Sequence, residues 1–468
     1  MLRRKMALYT VTPLTLVLLA GPGALLAGFN NSGLSPIEQL GKKIFFDEKL
    51  SINKNQACAS CHVPEVGWVG NDTAINDHGA VYEGSIPGEF GNRKPPSSAY
   101  ATLAPIFYAD YGNRLLGDDN IDELTDGPLF VGGNFWDGRA TGWKLGNPAA
   151  DQAQGPFLNP VEQALPHPAC VVYRVCEGTY GNLFDEVWSP ARCDINWPTN
   201  MDELCQLTEW PKPDPVGQKG KIDNAYDRVA LSIAAFEGSS ESNAFTSKID
   251  AHRAGFYDFN EQELLGRDIF RGIGMCSACH AGTPGPGAAP PLFTDFTYDN
   301  LGVPKNPENP ATLANPTYAD PGLAGFLENV PGFAEYAGTN LGKQKVPTLR
   351  NVALGSCEAA DADQKGKRRG PGKGKPNDCV VKAYMHNGYF KTLKQVVHFY
   401  NTRDIKPRCP GDYNVYEAIA ANCWPAPEVA ENVNKDELGN LGLTEEEEDA
   451  LVAFMQAMSD GFFTKRGY

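Results

Sequence analysis

The 468-residue chain is too long for one small domain, and length alone points to two or three. Its composition, 42% hydrophobic and 21% charged, is that of a soluble globular protein, and 49 glycines with 36 prolines predict turns and long ordered loops rather than a regular bundle. A formal net charge of −16 argues against nucleic acid as a partner and would steer in a basic protein, although it also serves plain solubility.

Arg3, Arg4 and Lys5 precede an apolar stretch from about Met6 to Leu26. This pattern gives the basic and apolar regions of a signal peptide, with a cut near Gly28, so residues 1–27 are read as a leader. Pro13, Pro22 and several glycines make the stretch a poor permanent span, an uncleaved anchor being the alternative, and no other apolar run is long enough to cross a bilayer. The mature chain is expected in the periplasm or at the cell surface, with no stable membrane span.

Glu38-Gln39-Leu40-Gly41-Lys42-Lys43-Ile44-Phe45 leads into Cys58-Ala59-Ser60-Cys61-His62. Glu263-Leu264-Leu265-Gly266-Arg267-Asp268-Ile269-Phe270 leads into Cys276-Ser277-Ala278-Cys279-His280. Each reads as a short amphipathic helix with a cap before it (Ser35; Asn260), then a loop and a CxxCH turn, so one small domain occurs twice. A helix over Ala225 to Glu237 closes the first copy. The division is placed at 28–245 and 246–468, in the polar stretch after Gly238. Residues 281–345 read as Gly/Pro/Asn-rich loops, Thr392 caps a helix over 392–400, and four glutamates open a last helix, Thr444 to Met458. Lys365, Lys367, Arg368, Arg369, Lys373 and Lys375 form a basic loop best read as solvated. The fold class is mainly α: two c-type cytochrome domains with haems near their interface and long loops.

Two thiols three residues apart reach the two vinyl groups of one porphyrin, and the next residue presents an imidazole to the iron. Zinc or a redox CxxC is the alternative reading. Two copies, each followed by His, point instead to two covalently bound haem c groups on Cys58, Cys61 and His62 and on Cys276, Cys279 and His280. The other eight of the twelve cysteines suit disulfides in an oxidising compartment. Cys357–Cys379 and Cys409–Cys423 are the local pairings, while Cys170, Cys176, Cys193 and Cys205 pair in any of three ways. The ligand opposite each iron decides between electron carrying and chemistry, and with seven histidines and seven methionines no Met is an obvious second ligand.

Asn134-Phe135-Trp136-Asp137-Gly138-Arg139-Ala140, then Gln152, Pro156 and Glu162, then Val346-Pro347-Thr348-Leu349-Arg350-Asn351-Val352 and Ala383-Tyr384-Met385-His386-Asn387-Gly388 resemble the bacterial di-haem cytochrome c peroxidase and MauG superfamily. The likeness runs from about Leu40 to Met458. It implies that Gln152, Pro156 and Glu162 line a hydrogen peroxide pocket over the first haem, with Glu162 as acid–base catalyst. Trp136 becomes an electron relay between haems. Tyr400, fourteen residues after His386, stands where MauG-like members ligate the second iron with tyrosine and the peroxidases use methionine. His78, sixteen after His62, matches the displaceable distal histidine of the reductively activated peroxidases. Plain readings stand beside these: a surface carboxylate for Glu162, core packing for Trp136 and Tyr400, and a solvated loop for His78. Lys94 occupies the place of an Asn that commonly helps hold calcium in the family, and Thr141 to Ala150 is longer than the family pattern.

The resemblance implies a peroxidase-type oxidoreductase that reacts with hydrogen peroxide at the N-terminal haem and exchanges electrons through the C-terminal one. Its reductant would be a small cytochrome c or cupredoxin. One alternative is a MauG-like enzyme oxidising Trp or Tyr of a partner protein. The other is a non-enzymatic di-haem electron carrier.

Overall fold

The structure, a computed structural model, describes residues 33–111, 127–189, 193–358 and 379–463. The leader read at 1–27 and the basic loop at 365–375 lie outside the described residues.

The two repeat helices form as their sequences dictate. Pro36–Phe45 opens on a reciprocal cap between Ser35 and Glu38, and Glu261–Arg271 on one between Asn260 and Glu263. Each buries its Gly and Ile-Phe positions; the second also buries Glu263, which closes its cap, while the other charges lie on the outer side. The first packs across Lys219–Glu237, which starts six residues earlier than its apolar pattern suggests. The second packs across Glu445–Gln456, capped by Thr444 and Glu447. A glycine lies at each crossing: a Cβ on Gly41 would collide with the carbonyl oxygen of Ser232, and one on Gly266 with that of Ala450. The repeat seen in the sequence is therefore a repeat of one helix crossing.

Two large apolar cores follow among the described residues. The buried side chains of one run from Leu34 to Phe236 with Leu292 from later in the chain; those of the other run from Ile249 to Met458. A smaller cluster joins Phe107 and Phe130 to Tyr298, Leu323 and Leu327. Strand content is slight. Tyr108–Asp110 pairs antiparallel with Leu129–Val131, and Tyr298–Asp299 with Gln344–Lys345 in the register Tyr298↔Lys345, Asp299↔Gln344. The 281–345 stretch thus contains this ladder and the short helices Pro310–Ala314 and Leu323–Leu327 between its loops. No helix among the described residues is long and apolar enough to cross a membrane.

Eight cysteines form four disulfides. Cys357–Cys379 and Cys409–Cys423 pair as expected, and Cys170–Cys205 with Cys176–Cys193 decides the three-way choice. Charged side chains tie the first half to the second. Arg93 bridges Asp137 (2.6 Å) and Asp320 (2.5 Å). Lys382 donates to the carbonyls of Val66, Asn351 and Leu354, and Lys391 to those of Asn76, His78 and Gly388.

Candidate functional site

The four free cysteines are those of the CxxCH turns. Each pair borders its own cavity, of about 240 Å³ around Cys58, Cys61 and His62 and about 170 Å³ around Cys276, Cys279 and His280. In both turns the histidine Nδ1 faces a backbone carbonyl, His62 that of Trp68 at 3.2 Å and His280 that of Phe293 at 2.8 Å. That bond assigns the proton to Nδ1 and leaves Nε2 free as a ligand. Burial pushes both imidazoles down to about 4, so each is neutral, the form that binds a metal. Polar atoms without partners border the cavities: Gln56 Oε1, Gln163 Oε1 and Glu237 Oε2 in the first, both amide atoms of Gln344 in the second. Paired thiols, a neutral imidazole and orphaned polar atoms around a mostly apolar space are the donor set that a covalently held haem requires.

The first cavity gathers Gln152, Pro156 and Glu162 as expected. The insertion positions them: Asn147 caps Pro148–Ala153, which carries Gln152, and Gly155–Leu158 follows with Pro156. Asn159 ends that turn and donates its Nδ2–H to Glu162 Oε2 at 2.7 Å. Burial raises the Glu162 pKa above 4.5, against the opposing pull of the Asn159 hydrogen bond and the Arg139 charge. Trp136 is 8% exposed, donates Nε1–H to the Lys94 carbonyl at 2.9 Å, and borders both cavities. Lys345 and Pro347 share that wall.

Tyr400 borders the second cavity from helix Leu393–Thr402. Neighbouring aromatic and imidazole groups are committed: Tyr384 Oη donates to the Val352 carbonyl at 3.3 Å, and His386 Nε2 pairs with Glu428 at 3.0 Å. The Tyr400 hydroxyl has no hydrogen-bond partner among the described residues. His398, the alternative on the same helix, is engaged at both nitrogens, by Glu448 (2.9 Å) and Lys406 (2.6 Å), and borders neither cavity.

His78 corrects the sequence expectation. It borders neither cavity; its side chain is 66% exposed and its Nδ1 pairs with Glu308 at 3.0 Å. The cause is tertiary. The His78 carbonyl accepts from Lys391 Nζ at 2.7 Å and from Asn306 Nδ2 at 3.2 Å, both from the second half of the chain. Sequence reasoning also missed Asn159, Glu237 and Lys345. Asn159 stands between Pro156 and Glu162, three residues before the latter, a spacing that could have flagged it. Glu237 ends a predicted helix, and nothing local marks it as a cavity residue. Burial pushes its pKa up to about 8.

A family model described as di-haem cytochrome c peroxidase matches residues 35–257. The methylamine utilization protein MauG of Paracoccus denitrificans (strain Pd 1222) is 31% identical over 432 residues, which is 90% of this chain and 88% of that protein. The cytochrome-c peroxidase IdrP1 of Denitromonas iodatirespirans is 25% identical across 90% of this chain and 80% of its own length. The solved diheme peroxidase BthA of Burkholderia thailandensis E264 superposes with a TM-score of 0.62 at 24% identity, over 91% of this chain and 86% of that one, and so shares the fold.

Proposed function

This chain belongs to the di-haem cytochrome c peroxidase and MauG family, and is thus an oxidoreductase; on that premise we propose that it reacts with hydrogen peroxide in the Cys58–His62 cavity. The observation that carries the reading is the meeting of Glu162, Gln152 and Pro156 with His62 in one cavity, whose wall at Trp136 is also the wall of the second. Haem joined by thioethers to Cys58 and Cys61 would supply the iron that takes up peroxide and holds its oxidising equivalents.

The protein's part is proton handling, positioning and an electron path. Glu162 accepts a proton from the inner peroxide oxygen and returns it to the outer one. Its raised pKa lets the carboxyl hold that proton between the two transfers, and Asn159, by donating to Oε2, orients the carboxyl and leaves Oε1 to carry it. Gln152 and Pro156 shape the space beside it. Trp136 offers an oxidisable ring between the cavities, and Tyr400 would serve a haem held by Cys276 and Cys279 as a hard anionic donor. Lys94 leaves calcium out of the proposal.

Two observations favour the MauG-like form, in which Trp or Tyr of a partner protein is oxidised, over a peroxidase fed by a small cytochrome or cupredoxin. Tyr400 offers an uncommitted hydroxyl to the second cavity, and His78 is held on the surface rather than over the first. The four disulfides suit an oxidising compartment and, with the leader at 1–27, support export to the periplasm. Stopped-flow mixing of the holoprotein with hydrogen peroxide tests the reading. A Soret change is expected in wild type, slowed about 10²–10⁴-fold by Glu162→Gln. No change in either ferric or half-reduced protein would leave a di-haem electron carrier as the function.

A further inference from the structure

Two buried lysines, Lys382 and Lys391, and two half-buried lysines on the wall of the first cavity, Lys94 and Lys345, differ in how their ammonium groups are satisfied. An ammonium has three N–H donors. Lys382 and Lys391 place all three on backbone carbonyls, at 2.9, 3.0 and 3.1 Å and at 2.8, 2.7 and 2.7 Å. Lys94 has one acceptor, the Pro95 carbonyl at 3.1 Å. Lys345 has one hydrogen-bond acceptor, Asn134 Oδ1 at 3.0 Å, and lies 5.9 Å from the centre of the Phe296 ring. Both border the first cavity and neither is paired with a carboxylate among the described residues. Burial without a counter-charge pushes each down to about 8. A cation held against a largely desolvated cavity with two spare donors is costly unless a ligand brings the missing anion.

The strand Gln344–Lys345 lies between the two cavities, and its alternation sends neighbouring side chains to opposite faces. Lys345 borders both cavities and Gln344 only the second, where its amide nitrogen and oxygen are buried without partners. The cysteines, by contrast, each border one cavity alone. A porphyrin tied to cysteines by its vinyl edge carries its two propionate carboxylates on the opposite edge. We propose that Lys94 and Lys345 seat the propionates of the porphyrin held by Cys58 and Cys61, and that Gln344 donates to a propionate of the porphyrin held by Cys276 and Cys279. This rests on the di-haem reading above and adds to it a built carboxylate site between the two groups.

The test uses the full-length holoprotein, with two covalent haems confirmed by intact mass. Spectroelectrochemical titration of Lys94→Gln and Lys345→Gln should show the first haem's reduction equilibrium shifted at least tenfold toward the ferric form. For one electron that is a midpoint 59 mV lower. The cause is loss of a cation from beside a buried carboxylate. Gln344→Leu should move the second haem in the same direction. Should a Gln variant mature without its first haem, Lys94→Arg and Lys345→Arg, which keep the charge, should carry both haems at wild-type potential. First-haem reduction equilibria shifted less than tenfold from wild type in both Gln variants, with both haems in place, overturn the seat while leaving the di-haem reading intact. A chain that matures with no haem on Cys58 and Cys61 overturns both.

Discussion

Lys391→Met probes what keeps His78 away from the first cavity. The ammonium joins the carbonyls of Asn76 and His78 to that of Gly388, pinning the loop after the first CxxCH to the second half of the chain. His78 lies only three residues before Val81, which borders the cavity. A hydrogen bond to a charged group contributes about 1.5–3 kcal/mol, and three on one ammonium are far from additive, so the lock is worth roughly 3 kcal/mol. At about 1.4 kcal/mol per tenfold, this is roughly a hundredfold bias against the loop leaving its place. Met keeps the stem's packing and removes the donors. Electron paramagnetic resonance of the resting ferric protein should show a high-spin first haem in wild type and a new low-spin fraction in Lys391→Met. Adding His78→Ala should restore the high-spin signal. A Lys391→Met protein that stays fully high-spin while its melting temperature falls would refute the idea that this lock controls His78.

Three further outcomes follow from the geometry. Tyr400→Met should raise the second haem's midpoint by at least the 59 mV of a tenfold change, since a thioether replaces a hard anionic donor; an unchanged potential means that Tyr400 is not a ligand. Glu237 has a folded pKa of about 8 against an ordinary 4.5, so the native state holds a proton that the unfolded chain releases between those values. Stability is therefore lost as pH rises through that window, by on the order of 5 kcal/mol at most, and Glu237→Gln should flatten the melting-temperature profile from pH 5 to 8. Equal slopes in the two proteins would count against the buried acid. Gly266→Ala forces a methyl against the Ala450 carbonyl. Overpacking of roughly 1–3 kcal/mol should outweigh the gain of about 1 kcal/mol in helix propensity, and a melting temperature equal to wild type would show that the crossing yields.

What the sequence determined by itself is the local chemistry. Both CxxCH turns, their capped helices, the Thr392 and Thr444 caps and the two short-range disulfides need only neighbours in the chain, and local spacing is enough to specify them. The Gln152–Pro156–Glu162 set was legible through the family resemblance of its segment, and its members are close in the chain, on two adjoining short helices and the turn after them. Tertiary structure decided whatever depends on a partner distant in the chain. His78 has a ligand's spacing but a surface position, because Lys391, more than three hundred residues later, holds its backbone. Glu237 becomes a cavity residue once the first crossing forms, and Trp136 and Lys345 border both cavities only once the halves meet, since desolvation and shared walls have no counterpart in an extended chain. Tyr400 shows both at once: its helix was readable in the sequence, but its free hydroxyl is visible only once Tyr384, His386 and His398 have found other partners.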